Sequence, residues 1–295
     1  MCSTCETRMW VSPIRAFGRF LRRQRSFRMT DDSATKPVRK AFTEPLVSVI
    51  IPTYNRAHLL GRAIDSVLRQ SHDPIEVIVV DDGSEDNTEE VVRRYGEAVD
   101  YVFQPNSGPA VARNRGMALA GGVFIALLDS DDYWLPGKLD KQLAMFEAKS
   151  ELHLVFGLER LVDATGNPLP VPQVRPDGWD LEPLPLEFPA YLCGGSVVEK
   201  LIEREHVIGH GSVLMRADAA RNLGGYDEDL SICEDFDLWL RFALNGSVLG
   251  FVDEPVYCSR RHGRQLTERP VEVLKARMKV IRKSFLTHRS TVECV

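Results

Sequence analysis

Residues 46–56 read LVSVIIPTYNR, an apolar run that stops at a proline and opens into a polar cluster. The pattern then repeats outward. A helical stretch over 57–69 places Leu59, Leu60, Ala63, Ile64, Val67 and Leu68 on one face, and IEVIVV at 75–80 is the next strand. An amphipathic stretch at 86–95, VDYVFQ at 99–104, a helix at 109–120 and VFIALL at 123–128 follow. Strands that are apolar throughout and alternate with helices indicate a parallel sheet covered on both faces. The first half of the chain is therefore read as α/β.

Ligands of such sheets bind outside the carboxyl ends of the strands. Three polar clusters fall there: PTYNR (52–56) after the first strand, DDGS (81–84) after the second and DSDD (129–132) after the fourth. Their spacing predicts that all three share one edge of the sheet.

The remainder is read more coarsely. A helix is expected at 136–148, and an irregular excursion at 166–190, which holds seven prolines. A second compact region runs from about 196 to 265, with SVLM as a strand and EDFDLWLRFAL as a helix whose Phe236, Trp239, Leu240 and Ala243 face inward. A basic helix at 270–287 closes the sequence, covering the sheet or facing a membrane. The divisions expected are a basic arm (1–44), a first half built on the α/β pattern (45–150), a second half of the same domain (151–268) and a C-terminal helix (269–295).

With 295 residues and 44% hydrophobic content, there is enough apolar material for one large domain or two joined lobes. The net charge of -5 hides an asymmetry, because residues 1–40 carry ten Lys/Arg against three Asp/Glu. The rest holds 27 basic and 39 acidic side chains, which argues against a nucleic-acid-binding body. Of the six cysteines only Cys2 and Cys5 have metal-like spacing, and without a second pair free thiols in a reducing compartment are the better reading. No apolar run approaches the roughly 20 residues of a membrane span, and arginines interrupt the N-terminus where a signal-peptide core would lie. The expected location is the cytoplasm, or the inner face of the cell membrane. Residues 10–28, in which Ile14, Phe17, Phe20 and Leu21 recur at helical spacing among arginines, are read as a peripheral membrane contact or as a disordered arm, even as residues upstream of a start at Met29.

Asp129, Asp131 and Asp132 repel one another by roughly 1 kcal/mol per pair at about 4 Å in water. A Mg2+ or Mn2+ shared with substrate phosphates would relieve this; alternatively the acids favour a helix N-terminus, with Asp132 capping the turn before Pro136. An EF-hand loop is excluded by Tyr133 and Trp134, and an aspartyl-phosphate motif by the residue at 133 and by its strand. DDGS reads either as a tight turn with Gly83 at positive φ and Asp86 capping the next helix, or as a nucleoside site in which Asp81 and Asp82 accept from a base or ribose and Tyr54 stacks on the base. Asp237 and Arg241, four apart, are expected to form a helix ion pair.

Taken in order, VSVIIPTYNRAHLLGRAIDSVLRQ, VIVVDDGSEDNT, NSGPAVARNRGMALAGG, LLDSDDYWLPGKL, LGGYDEDL and CEDFDLWLR resemble a family 2 glycosyltransferase over about residues 46–262. The resemblance implies a GT-A fold, a Rossmann-like mixed, mainly parallel sheet flanked by helices. It also implies a nucleoside diphosphate sugar donor, a divalent cation (Mg2+ or Mn2+) and inversion at the anomeric carbon. Carried over by position, it assigns Pro52, Tyr54 and Asp82 to the nucleoside, with Asn55 and Asp81 beside them. It places Asp129 near the ribose and Asp131 on the metal. Arg113 faces the pocket or is a solvated helix arginine. Asp235 corresponds to the family's catalytic base and Glu234 to its neighbour, while His262 and Gln265 are candidates for closing the site, His262 on the diphosphate or metal.

The implied reaction moves a single sugar, from a UDP-sugar by default, to an acceptor hydroxyl on a sugar, a lipid-linked sugar or a protein, in cell-surface glycan or glycolipid synthesis. A Gln-x-x-Arg-Trp motif and membrane helices, which processive polysaccharide synthases of this family carry, are missing from the sequence. The competing readings are a nucleotidyltransferase, disfavoured because PTYNR stands where a Gly-rich phosphate loop belongs, and a non-catalytic nucleotide-sugar-binding scaffold.

Overall fold

All seven residues of β1 (Val47–Thr53) are buried, as befits an uncharged strand with a layer on each side. The structure is a computed structural model that describes residues 46–171, 173–195, 197–203, 207–261 and 270–287; Phe42–Val295 forms one compact unit. The basic arm, with Cys2 and Cys5, lies outside the described residues.

The chain order is β1, α1 (Ala57–Leu68), β2 (Ile75–Asp81), α2 (Thr88–Arg93), β3 (Asp100–Phe103), α3 (Pro109–Leu119), β4 (Phe124–Leu127), β5 (Tyr133–Trp134) and α4 (Lys138–Ala148). Then come β6 (Leu152–Val162), β7 (Asp180–Pro183), β8 (Ala190–Gly194), α5 (Val197–Glu203), β9 (Leu214–Arg216), α6 (Ala217–Asn222), α7 (Glu234–Leu244), β10 (Val248–Arg260) and α8 (Pro270–Thr287). The described residues form a ten-stranded sheet in the order β3-β2-β1-β4-β9-β6-β10-β8-β7, with β5 paired to β10. Strands β1 to β4 are mutually parallel, β9 runs against both β4 and β6, and β6 and β10 are parallel. The result is a mixed, mainly parallel sheet flanked by helices, as expected.

Successive strand residues point to opposite faces, and this splits the core in two. Ile50, Ile78, Val80, Ile125 and Leu127 join Phe236, Leu238 and Phe242 of α7 and Ala112 of α3 on one side. On the other side, Val49, Ile51, Val77, Val79 and Ala126 pack with Leu60, Ile64 and Val67 of α1 and Leu139 and Phe146 of α4. Helix α3 lies very close to β1, since a Cβ on Gly116 would come within 2.4 Å of Ile50 Cγ2. That contact fixes which residues of α3 reach the sheet edge.

Several elements differ from the sequence-based expectation. The second helix is shorter than 86–95, and Asp86, rather than only preceding it, accepts from the Thr88 N–H and from the Ala57 N–H of α1, both at 3.1 Å. The proline-rich stretch is not wholly an excursion. It supplies edge strand β7, and Trp179 is buried with its ring centroid 5.9 Å from that of Phe156. The ion pair between Asp237 and Arg241 is present at 2.6 Å, and Arg241 also donates to the carbonyls of Leu223 and Gly225 at 2.7 Å each.

Candidate active site

The edge formed by the carboxyl ends of β1, β2 and β4 carries the three polar clusters. Asn55 adopts φ 52°, a left-handed conformation that Asn tolerates better than most residues. Its backbone N–H donates to Ser84 Oγ, and its Oδ1 accepts from the Glu85 N–H, both at 2.8 Å, so PTYNR and DDGS are laced together. Gly83 has φ 85°, the positive value expected of the turn. Pro52 is buried and Tyr54 is 47% exposed.

Both aspartates of the second cluster are buried and held. Asp81 Oδ1 accepts from the Ser84 N–H at 2.8 Å and Oδ2 from the Tyr101 hydroxyl at 2.7 Å. Asp82 accepts from Gln104 Nε2 and from the N–H groups of Ser107 and Gly108, each at 2.8 Å. Asp82 therefore ties the end of β2 to the loop that opens α3.

In the third cluster, Asp132 does not cap a turn before Pro136. Its Oδ1 accepts from the Arg260 N–H at 2.8 Å, which pins β10 to the acidic turn. Burial, reinforced by the charges of Asp131 and Asp129, raises its carboxyl well above the usual range. Asp131 is partly exposed, with Oδ2 3.8 Å from Arg56 Nε.

Arg113 is a buried bridge rather than a solvated helix residue. Nη2 donates to Asp129 Oδ1 and Nη1 to Glu234 Oε1, both at 2.7 Å. Burial opposes its charge, but the two carboxylates outweigh that and hold its pKa above the ordinary arginine value. Burial likewise opposes ionisation of Asp129, and Arg113 and then His210 overcome it, holding the carboxyl below its usual range.

Glu234 and Asp235 open α7 at the far side of this bridge. Asp235 Oδ1 accepts from the Phe236 N–H at 2.7 Å, while Oδ2 lies 3.8 Å from His210 Nδ1. The same nitrogen is 3.9 Å from Asp129 Oδ2. His210 thus stands between the acidic turn after β4 and the start of α7.

Its position is set by two glycines. A Cβ on Gly209 would come within 2.1 Å of the Tyr257 hydroxyl oxygen, and one on Gly211 within 2.4 Å of Tyr257 Cδ2. Arg113 Nε, His210 Nε2 and the Tyr226 hydroxyl are all buried without a hydrogen-bond partner. They converge, with Arg113 Cζ 5.5 Å from the Tyr226 ring centroid and the His210 and Tyr226 centroids 5.8 Å apart. Unsatisfied buried polar groups are uncommon, and a cluster of them calls for a partner such as a water, an ion or a ligand.

Five carboxyl groups (Asp129, Asp131, Asp132, Glu234 and Asp235) gather here against the guanidinium groups of Arg56 and Arg113. Among the described residues no three Asp, Glu, His or Cys side chains cluster to hold an ion by themselves. Hard carboxylate oxygens at an acidic turn nonetheless fit Mg2+ or Mn2+, since Mg2+ is commonly bound by one or two carboxylates together with substrate phosphates. His262 and Gln265 lie outside the described residues.

The sequence profile of Glycosyl transferase family 2 matches residues 48–168. An uncharacterized glycosyltransferase of Rickettsia typhi is 32% identical over 235 residues, 78% of this chain and 69% of its own. The chain belongs to glycosyltransferase family 2. Among solved structures, S. aureus TarS 1–349 in complex with UDP-GlcNAc superposes on this glycosyltransferase with a TM-score of 0.62 at 21% identity, over 81% of this chain and 66% of TarS 1–349. The mannosyltransferase PcManGT from Pyrobaculum calidifontis, in complex with GDP-Man and Mn2+, gives 0.58 at 22% identity over 81% of this chain and 64% of its own. This glycosyltransferase therefore spans slightly under two thirds of those two solved chains, and they show that it has the GT-A fold. No described helix is long and apolar enough to cross a membrane.

Three residues of the candidate site did not stand out in the sequence. Arg56 was hidden as the last letter of PTYNR and Tyr226 within LGGYDEDL, although both segments had been singled out. His210 had a usable signal, because it stands between two glycines in IGHGS directly before a strand.

Proposed function

We propose that this chain is an inverting glycosyltransferase that moves a single sugar from a nucleoside diphosphate sugar, a UDP-sugar by default, to an acceptor hydroxyl in cell-surface glycan or glycolipid synthesis. The observation that carries the reading is the convergence on His210, within 3.9 Å, of Asp129 from the sheet edge and Asp235 from α7. A donor-side acid and a candidate base thereby share one small space.

In this reading the nucleoside lies against the exposed ring of Tyr54. Asp81, Asp82 and Asn55 fix the loops behind it, and each oxygen of Asp81 keeps lone-pair capacity for the base or ribose. Asp131, with Asp129 beside it and His262 as a further candidate, would hold a Mg2+ or Mn2+, and the bound ion supplies positive charge against the diphosphate. Arg113 keeps Asp129 ionised and orients both Asp129 and Glu234. Asp235 Oδ2, the oxygen not engaged by its own helix, takes the acceptor proton as the hydroxyl attacks from the face opposite the leaving group. Glu234 is the neighbour that orients the acceptor side.

The test is transfer from labelled UDP-sugars and GDP-sugars to a panel of hydroxyl acceptors, using wild type and Asp235→Asn, with and without EDTA. Base catalysis is typically worth about 100-fold or more, so Asp235→Asn should bind donor and lose at least that factor in turnover. Retention of more than about a tenth of wild-type turnover would remove Asp235 as the base. Turnover unaffected by EDTA would remove the cation.

A further inference from the structure

Among the described residues, helix α8 buries one face against the fold and leaves a second, apolar face largely exposed. Val273, Arg277, Val280 and Ser284 recur at helical spacing and are buried. Arg277 Nη2 donates to the carbonyls of Leu201 and Ile202 at 2.9 and 2.8 Å, and its guanidinium lies 4.3 Å from the Phe236 ring centroid. Lys283 Nζ reaches Asp227 Oδ2 at 2.6 Å. The helix is thus firmly seated on α5 and α7.

The second face is exposed. Val271, Leu274, Met278 and Phe285 recur at i, i+3, i+7 and i+14 with the half-buried Ile281 between them, and Leu274 and Met278 are 55% and 63% exposed. At 3.6 residues per turn these side chains form one stripe along the cylinder. Lys275, Lys279 and Arg282, all exposed, each follow a stripe residue by one position and form a basic stripe directly beside it. Residues 270–287 hold five basic side chains against the single acid Glu272.

We propose that this outward face of α8 seats the protein on an anionic membrane surface. The chemistry required of the partner is specific: it must accept apolar side chains and, immediately alongside, offer negative charge. An interface of acyl chains and anionic headgroups does both for a helix lying in its plane. The basic N-terminal arm is a poor occupant, because it carries ten Lys/Arg against three Asp/Glu over residues 1–40 and would meet like charge. A two-fold pairing of α8 with its copy likewise sets cations against cations. The helix lies against Phe236, the residue after Asp235, so a membrane-seated α8 brings the start of α7 close to the headgroup layer. The inference does not depend on the proposed chemistry of Asp235.

The experiment is co-sedimentation of the full chain with vesicles of phosphatidylcholine alone and with about 30% phosphatidylglycerol. The comparison is wild type, Leu274→Glu/Met278→Glu, and Lys275→Glu/Lys279→Glu/Arg282→Glu, with the arm intact in all three. All five substituted side chains are exposed, so thermal melts should match wild type. Wild type should bind the anionic vesicles in a salt-sensitive manner, and each variant should weaken that binding by about tenfold or more, as loss of several near-surface cations or apolar anchors implies. Three results would overturn the proposal. The first is equal binding by all three proteins, which would assign anchoring to the arm. The second is no preference of wild type for anionic vesicles, and the third is a concentration-dependent dimer in light scattering that Leu274→Glu/Met278→Glu abolishes.

Discussion

His210 Nδ1 faces Asp235 Oδ2 across 3.8 Å, with Asp129 Oδ2 at 3.9 Å from the same nitrogen. This ring joins the acidic turn after β4 to Asp235 itself, beside the tighter Arg113 bridge that joins Asp129 to Glu234. Replacing His210 with alanine should lower kcat by about 10- to 100-fold, the scale associated with misplacing a reacting group by an ångström, with little change in donor KM. His210→Asn should recover part of the loss. If kcat and the donor KM of His210→Ala both stay at wild-type values, the ring does not position the site.

Arg113 neutralises two carboxylates in a buried place, so its removal has a larger expected effect on the fold. Arg113→Ala leaves Asp129 and Glu234 facing each other without a cation, and breaking buried pairs in this way destabilises by about 3–5 kcal/mol. Arg113→Lys keeps the charge but lacks the fork that reaches both acids at 2.7 Å, and should fall between the two. Urea unfolding of the three proteins checks the order.

Gly211 should not tolerate a methyl group. The added carbon would lie 2.4 Å from Tyr257 Cδ2 and 2.7 Å from Cε2, and Tyr257 is itself buried with its hydroxyl donating to Glu159 at 3.0 Å. Overpacking of this kind destabilises by about 1–3 kcal/mol. Because the displaced segment carries His210, Gly211→Ala should also lose turnover, even at temperatures where it is fully folded by circular dichroism. Wild-type turnover there would show that the histidine's placement is not critical.

Lys138 gives the chain a pH dependence whose sign is fixed by burial. It is 1% exposed, donates to Gln142 Oε1 at 2.6 Å and to the Val213 carbonyl at 3.2 Å, and burial holds its ammonium well below the ordinary lysine range. The unfolded chain, with a lysine titrating near 10.4, then binds more protons than the folded one between the depressed value and about 10.4. Stability therefore rises with pH across that window, by up to about 1.4 kcal/mol per pH unit from this group. Urea unfolding between pH 8 and 9.5 should show a steeper rise for wild type than for Lys138→Met, and parallel curves would contradict the assignment.

The parts of this molecule that were legible in the sequence are those whose neighbours in space are neighbours in pattern. Strands β1 and β4 are uncharged and wholly buried, and β2 carries charge only at Glu76 near its start and at its terminal Asp81, so their type, their direction and the shared edge of PTYNR, DDGS and DSDD followed from alternation with helices. Strands β6 and β10 did not, because their register is irregular, with shifts at Val248/Leu249, Val252/Pro255 and Pro255/Tyr257, and charged residues such as Glu159, Arg160 and Asp253 interrupt the apolar signal. β5 is two residues long and exists only through pairing with β10. Within the site, the acids of DSDD and of Glu234 and Asp235 announced themselves as clusters. Arg113 read equally well as a solvated helix residue until its partners 16 and 121 positions away were known. His210 was a lone histidine whose meaning depends on Asp129 and Asp235, far from it in the chain.

The uninterrupted hydrogen bonding from β4 through β9 to β6 carries a mechanical consequence. Among the described residues there is no seam at which the strands that carry the polar clusters could swing against the strands beyond them, since any such rotation would have to tear the ladder at Ile125–Met215 or Leu154–Met215. A ligand bound along this edge would meet a stiff floor, and any adjustment to it would fall to side chains and loops, not to jaws closing.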